Sequence, residues 1–256
     1  MTRLAVTGAT GAMGREVLRA ASARENVTVG HAVSESAGGT EREGVVVEPA
    51  ASLRSVSSED VDALVDFTVP EASVGYVETA AEVGVPCVVG TTGFSEREKG
   101  RLRAASESVP VLTAANFSRG VHVMSALVRE AAATLPGYDI ELTETHHNRK
   151  RDAPSGTANR LLEGIESARE TTGRVHGREG EAPRETGEVG VHARRAGTIT
   201  GEHEVLLAGG GEELRLTHRA ESRRVFAEGA LDAAVWLAPR SPGWYDFSDL
   251  MTDESV

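Results

Sequence analysis

The chain opens on a pattern that few folds accommodate. An apolar strand, Arg3-Leu-Ala-Val-Thr7, runs directly into Gly8-Ala-Thr-Gly11-Ala-Met-Gly14 and then into a helical pattern with Val17, Leu18 and Ala21 on one face. Glycines let the backbone turn tightly and approach a pyrophosphate, and the first N–H groups of the helix face its charge. The GxxGxxG spacing is a variant of the GxGxxG dinucleotide fingerprint, with a purely structural tight turn as the competing reading. Its place directly after a strand, at the start of the chain, favours nucleotide binding.

A second strand, Val27 to Val33, extends that unit and ends at Ser34-Glu35, where a Rossmann fold reads the adenosine ribose. Glu35 suits a 2′-hydroxyl, whereas Ser34 with a nearby arginine suits a 2′-phosphate, so NADH and NADPH both stay open. Residues 36–44 read as a polar loop, Val45 to Val47 as a short strand and 50–60 as a connector with some helix. Asp62 to Phe67 is a buried strand, and Val69-Pro70-Glu71 opens a helix. Pro86 to Gly90 leads into Thr91-Thr92-Gly93-Phe94, then a helix to about Ser108, a strand from Val109 to Ala114 and a loop at Asn116-Phe117-Ser118. Such alternation predicts an α/β, doubly wound parallel sheet whose ligands bind at the strands' carboxyl ends. Gly90, Thr91, Thr92 and Asn116 lie at such ends, where contacts to nicotinamide and ribose compete with ordinary turn chemistry as the explanation.

Near residue 118 the pattern changes. A helix from Val121 turns Val121, Met124, Leu127, Val128, Ala131 and Leu135 inward, and a strand continues the chain from Tyr138 to Thr143. After a helix of about Ser155 to Thr171 comes a polar stretch to Gly187, expected to be exposed. Gly190 to Arg195, Thr198 to Leu207 and Glu213 to Arg219 then read as strands without intervening helices, which implies an α+β domain with a mixed or antiparallel sheet. A helix from Phe226 to Leu237 and the segment Trp244 to Met251 return to the first domain. The expected division is therefore 1–117 with 226–256 for the dinucleotide, and 118–225 for substrate and oligomerisation.

Chemistry is concentrated between Glu144 and Ala158, Glu-Thr-His-His-Asn-Arg-Lys-Arg-Asp-Ala-Pro-Ser-Gly-Thr-Ala. Pro154, Ser155 and Thr157 are helix-start signals, and the free N–H groups there form a seat for a carboxylate or phosphate close to His146, His147 and Lys150. A solvated basic loop is the bland alternative. Against it, lysine occurs only at Lys99 and Lys150, so a composition that nearly excludes lysine has placed one inside this loop. An ammonium can donate a proton there; a guanidinium, locked in its charged form, cannot. A metal site from His146, His147 and Asp152 lacks a further ligand pair at suitable spacing.

The net charge of −12 argues against nucleic acid and, with the lysine shortage, suggests a surface suited to a salty cytoplasm. An arginine-rich coding bias explains the shortage as well. Neither a membrane span nor a signal peptide is evident. The one cysteine, Cys87, in an apolar strand, reads as a buried small hydrophobe and points to the reducing cytoplasm.

Gly8-Ala-Thr-Gly-Ala-Met-Gly14, Asp66-Phe-Thr-Val-Pro-Glu71, Gly90-Thr-Thr-Gly-Phe94, Ala114-Ala-Asn-Phe-Ser118, Glu144-Thr-His-His and Asp152-Ala-Pro-Ser-Gly-Thr-Ala158 resemble the successive motifs of the dihydrodipicolinate reductase family of lysine biosynthesis. Arg195-Ala-Gly197, Gly201-Glu-His203 and Thr217-His218 match later segments in the same order, so the resemblance spans essentially the whole chain. It implies NADH- or NADPH-dependent reduction of a small dicarboxylate, 4-hydroxy-tetrahydrodipicolinate, by a homotetramer joined through the substrate-domain sheets. It further implies His146 as the catalytic histidine, Lys150 as second proton donor, and His147, Lys150, Ser155, Gly156 and Thr157 as substrate contacts. Gly8, Ala9, Thr10, Gly11, Ala12 and Met13, then Gly90, Thr91 and Thr92, then Ala114, Ala115, Asn116 and Phe117, match the cofactor contacts. The chain departs from the usual loop at Asn148 and Arg149, and at Ser34, where many relatives carry an acid.

Two other classes compete. A short-chain or epimerase-type Rossmann enzyme needs a Tyr-x-x-x-Lys pair, but Ser95 and His146 precede Lys99 and Lys150 at that spacing. A nucleotide-sensing regulator that kept the fold predicts cofactor binding without turnover.

Overall fold

The computed structural model describes residues 1–35 and 39–253. Residues 36–38, the start of the expected 36–44 loop, lie outside the described residues. The chain divides into two compact units, Met1–Phe117 with Arg223–Val256, and Ser118–Ser222. Its return to the first unit falls ahead of residue 226 because the helix there already begins at Arg224.

In chain order the elements are β1 (Thr2–Thr7), α1 (Ala12–Ser22), β2 (Val27–Ser34), β3 (Thr40–Arg42), β4 (Val45–Pro49), a 3₁₀ turn (Ala50–Ser55), β5 (Ala63–Asp66), α2 (Pro70–Glu82), β6 (Cys87–Val89), α3 (Glu96–Ala105) and β7 (Pro110–Thr113). The second unit contributes α4 (Arg119–Thr134), β8 (Asp139–His146), α5 (Gly156–Ala168), β9 (Gly173–His176), β10 (Glu188–Arg195), β11 (Gly201–Gly209) and β12 (Glu212–Ala220). The chain closes with α6 (Arg224–Leu237), β13 (Gly243–Asp246) and α7 (Phe247–Thr252).

The first unit is a parallel sheet in the order β13-β7-β6-β5-β1-β2-β4-β3, antiparallel only at β3. Its apolar strands follow from burial on both faces. Leu4 and Val6 pack with Val17 and Leu18 of α1 and Leu231 of α6, while Ala5 between them joins Val74 and Val77 of α2 and Leu102 of α3. Trp244 to Met251 returns as expected: β13 pairs in parallel with β7, and Phe247 joins the α1 and α6 side of the core. The expected loop is corrected at Thr40–Arg42, which forms a hairpin with β4 through Glu43 and Gly44, both at positive φ, as a two-residue hairpin turn requires.

The second unit is a mixed sheet in the order β12-β11-β8-β10-β9. β8 is parallel to β10 and antiparallel to β11. α4 and α5 cover one face, burying Met124, Val128, Leu161, Leu162 and Ile165 against Ile140, Leu142, Val191, Val205 and Leu207. Residues of opposite parity carry polar and charged groups instead, with a His192–Glu141 hydrogen bond at 2.7 Å and ion pairs such as Arg215–Glu204 at 3.0 Å and Arg219–Glu202 at 2.8 Å. One expectation is corrected here. Leu127, read as inward, is 50% exposed, because the buried stripe of α4 runs through Val121, Met124, Val128 and Ala132 and leaves it on the flank. The polar stretch to Gly187 is largely exposed, as expected, and it also contains β9, paired in parallel with β10, while its Arg178 and Arg184 form ion pairs with Glu188 and Glu141. Among the described residues no helix is long and apolar enough to cross a membrane.

Candidate active site

In the first unit the candidate cofactor residues lie just beyond the carboxyl ends of β1, β2, β6 and β7, all on one edge of the sheet. Gly8 has φ +74°, and a Cβ there would stand 2.3 Å from the Phe67 carbonyl oxygen. A Cβ on Gly14 would stand 2.1 Å from the Gly8 carbonyl oxygen, so α1 seats against the turn only because residue 14 is glycine. The Gly11 N–H closes the turn on the Gly8 carbonyl at 2.8 Å, and the Ala9 N–H reaches the Val33 carbonyl at 3.1 Å. No side chain caps α1 and no acid occupies its first turn, which leaves its positive end available to a phosphate. The residues present therefore fit a dinucleotide.

The edge is held together by a residue whose role is not evident from the sequence. Asp66 is fully buried at the end of β5, and its carboxylate accepts from the hydroxyls of Thr7 at 2.7 Å, Thr68 at 2.7 Å and Thr91 at 2.6 Å. Thr91 Oγ1 in turn accepts the Thr68 N–H at 2.9 Å. Phe67 lies over Gly90, where a Cβ would be 2.1 Å from its ring, and meets the Phe117 ring edge-on at 5.8 Å. The loops after β1, β5, β6 and β7 thus form one connected surface. An acid ending an apolar strand, with threonine two residues on, was the available signal, since a buried carboxylate needs donors. At the end of β2, Ser34 is buried and shares a 2.7 Å hydrogen bond with Thr10, while Glu35 is exposed. Thr92 and Ala115 are exposed, and Ala114 is pinned to β6 by its N–H to Val89 at 3.1 Å.

In the second unit His146 ends β8 on the side of the sheet that carries α5. Its Nδ1 lies 2.6 Å from Glu144 Oε2, two residues back on the same face. Glu144, fully buried, is gripped by Arg195 of β10 through both terminal nitrogens at 2.8 Å. Burial alone would push the Glu144 carboxyl up, but His146 and Arg195 outweigh it and hold it down at about 2. Its Oε1 also accepts the Ser155 N–H at 3.1 Å. Ser155 begins α5: its Oγ takes the Ala158 N–H at 3.1 Å and lies 3.0 Å from His203 Nε2 on β11. Burial, assisted by the charge of His146, lowers His203 to about 3, so it is neutral at working pH. The two imidazoles meet edge-on at 5.2 Å.

Between β8 and α5, Lys150 Nζ pairs with Asp152 at 2.9 Å, and the Lys150 N–H closes a turn on the His147 carbonyl at 3.1 Å. Lys150 is partly buried, Gly156 is exposed with nothing within 4 Å of where a Cβ would sit, and Thr157 is half-buried. Gly201 lies against His146, and its Cβ would stand 3.1 Å from Nε2, so β11 presents bare backbone to that nitrogen. The structure therefore brings His146, Lys150, Ser155, Gly156 and Thr157 to one end of the second sheet. Asp152 faces Lys150, and His146 faces Glu144. Glu144, Arg195 and His203 sit in recognisable motifs that give them no role; they are close only through strand pairing, Glu144 opposite Ala193 and His203.

Family models described as "Dihydrodipicolinate reductase, N-terminus" and "Dihydrodipicolinate reductase, C-terminus" match residues 2–117 and 120–251. The chain is 53% identical to a 4-hydroxy-tetrahydrodipicolinate reductase of Haloarcula marismortui over 98% of this chain and 99% of the relative. To the corresponding reductase of Natronomonas pharaonis it is 55% identical, over 95% of this chain and 98% of that one. Among solved structures, the fold is similar to a dipicolinate-bound dihydrodipicolinate reductase from Paenisporosarcina sp. TG-14, with TM-score 0.80 and 24% identity over 96% and 97% of the two chains.

Proposed function

The chain belongs to the dihydrodipicolinate reductase family, and on that premise we propose how its own residues perform the family's reaction. The reaction is the NAD(P)H-dependent reduction of 4-hydroxy-tetrahydrodipicolinate to tetrahydrodipicolinate in the diaminopimelate route to lysine. The observation that carries the assignment of residues is the placement of a buried imidazole, His146, at the strand end beside the start of α5, with an ammonium in the connecting turn.

In this reading the α1 end, Gly8 to Met13, holds the pyrophosphate, Ser34 and Glu35 meet the adenosine ribose, and Gly90 to Thr92 with Ala114 to Phe117 meet the nicotinamide half. The cofactor is NADH or NADPH, and when bound it supplies the hydride. Loss of the 4-hydroxyl as water leaves a conjugated imine, and a hydride added at its electron-poor end puts negative charge on the adjoining carbon and nitrogen, which one proton then discharges. His146 donates a proton from Nε2, the nitrogen that Glu144 leaves free, and the Lys150 ammonium is the second donor. The substrate's carboxylates take the Ser155-Gly156-Thr157 backbone at the mouth of α5, with His147 and Lys150 beside it. An anionic protein binding a dianion makes this local cationic cluster necessary. Dipicolinate, bound in the Paenisporosarcina structure, is a diacid, the class of ligand such a cationic cluster suits.

The charged face of the mixed sheet, opposite α4 and α5, is the surface we assign to a homotetramer, and a reducing cytoplasm suits the single cysteine. The test of the reading is oxidation of NADH and NADPH, measured separately by absorbance, on addition of the freshly made aldol product of the preceding pathway step. Substrate-dependent absorbance loss supports it. Cofactor binding without turnover would favour the regulator.

A further inference from the structure

We propose that Glu144 is a positioning residue that serves both halves of the second-unit site at once, orienting His146 through one carboxylate oxygen and the diacid seat through the other. The proposal rests on the assignment of His146 as proton donor and goes beyond it. Oε2 meets His146 Nδ1 at 2.6 Å, and Oε1 accepts the Ser155 N–H at 3.1 Å. Arg195 fixes the carboxylate plane with one nitrogen on each oxygen, both at 2.8 Å, and anchors itself on the Asp152 carbonyl at 2.6 Å. A bidentate guanidinium has one orientation for its partner, so the two oxygens cannot exchange tasks by rotation.

The consequence for His146 is a fixed tautomer. A carboxylate only accepts, so Nδ1 carries its hydrogen and Nε2 is the nitrogen that holds or delivers the mobile proton. On transfer the Nε2–H bond breaks, the proton goes to the substrate, and a neutral imidazole with Nδ1–H still on Glu144 remains. Gly201 keeps the backbone of β11 bare beside Nε2. For the seat, the Ser155 N–H held by Oε1 sets where α5 begins, while Ser155 Oγ caps the helix on Ala158 and touches His203. The charged and titratable groups around the pair are Arg195 on β10, His203 on β11, His218 behind it on β12, and His147, Lys150 and Asp152 in the connecting turn. His203 is neutral, so Arg195 is the fixed positive charge against the carboxylate, with the Lys150–Asp152 pair in the connecting turn.

The experiment is a cycle of E144Q, H146Q and the double variant, each measured for kcat against pH, KM for substrate and Kd for NADH. E144Q keeps the volume but cannot accept on both sides while facing Arg195. It is expected to lower kcat by about 10- to 100-fold, within the range of positioned acid–base groups, and to move the alkaline limb of the kcat profile to lower pH. The double variant is expected to have the kcat of H146Q, because Glu144 reaches the reaction only through His146. KM is expected to rise by about tenfold in E144Q and again in the double variant relative to H146Q, since the Ser155 connection does not pass through His146. Unchanged Kd for NADH reports an intact first unit. Should the unpaired buried Arg195 prevent E144Q from folding, E144Q/R195M removes both charges and carries the same expectations. An E144Q or E144Q/R195M enzyme with wild-type kcat and pH profile overturns the proposal while H146Q stays impaired. A fully active H146Q overturns the underlying assignment instead.

Discussion

Arg195 and Glu144 meet in a two-point clamp, 2.8 Å on each side, beneath the imidazole of His146. They lie on neighbouring parallel strands, and the carboxylate they position is fully buried. A buried ion pair of this kind is poor evidence of net stability, but removal of one partner is costly. Its value lies in orientation.

Lys150→Ala is expected to lower kcat by roughly 10² or more, in the range of positioned proton donors and fixed charges. Lys150→Arg keeps the charge but cannot donate, so it should recover part of KM and little of kcat. Steady-state kinetics of the two variants check this, and near-normal turnover of Lys150→Ala counts against the assignment.

Stability should fall with acid in a predictable window. Unfolded His203 takes up a proton below its ordinary value of 6.5, whereas the folded residue resists until about 3, so between these values the unfolded chain binds more protons. Folding then loses about tenfold in equilibrium constant per pH unit from this group. Glu144, held near 2 against an ordinary 4.5, adds a loss of the same sign lower down, its contribution being complete above 4.5 and gone below 2. Urea titrations from pH 7.5 to 4.5 should show the His203 slope, and His203→Gln should flatten it. A parallel slope in that variant refutes the attribution.

Gly14→Ala is expected to raise Kd for NADH and NADPH at least about tenfold or to destabilise the first unit by about 1–3 kcal/mol, because its Cβ would be driven to 2.1 Å from the Gly8 carbonyl oxygen. Gly75→Ala in α2, with nothing within 4 Å, should be neutral or slightly stabilising. Fluorescence titration and thermal melts compare the two.

Cofactor choice turns on the end of β2. Ser34→Asp places a carboxylate beside Thr10 and Glu35, where it can accept from a 2′-hydroxyl and repel a 2′-phosphate. The ratio of kcat/KM for NADH over NADPH should rise about tenfold or more. An unchanged ratio removes Ser34 from the ribose subsite.

Much of this was legible in the sequence, and the features that were not share a cause. The glycine turn, the alternating strands and the Glu144–Ala158 stretch are local patterns, so they located β1, α1, the doubly wound sheet and the start of α5 directly. Asp66, Arg195 and His203 act across strands, and their partners are 25, 51 and 48 residues away for Thr91, Glu144 and Ser155 respectively. No periodicity reports such pairings. β9 is hard to read because a four-residue edge strand in a charged stretch has almost no apolar face to betray it. Leu127 falls outside the core because helical spacing defines a stripe but not its edge.

A single-turnover comparison of wild type and H146Q, each preloaded with NADH or NADPH and mixed with the freshly generated diacid, probes the proton-donor role of His146 without intermediary steps. Cofactor oxidation should be slowed by about 10² or more in H146Q, with Kd for the cofactor unchanged and dipicolinate still bound. Oxidation at the wild-type rate in H146Q would refute that role.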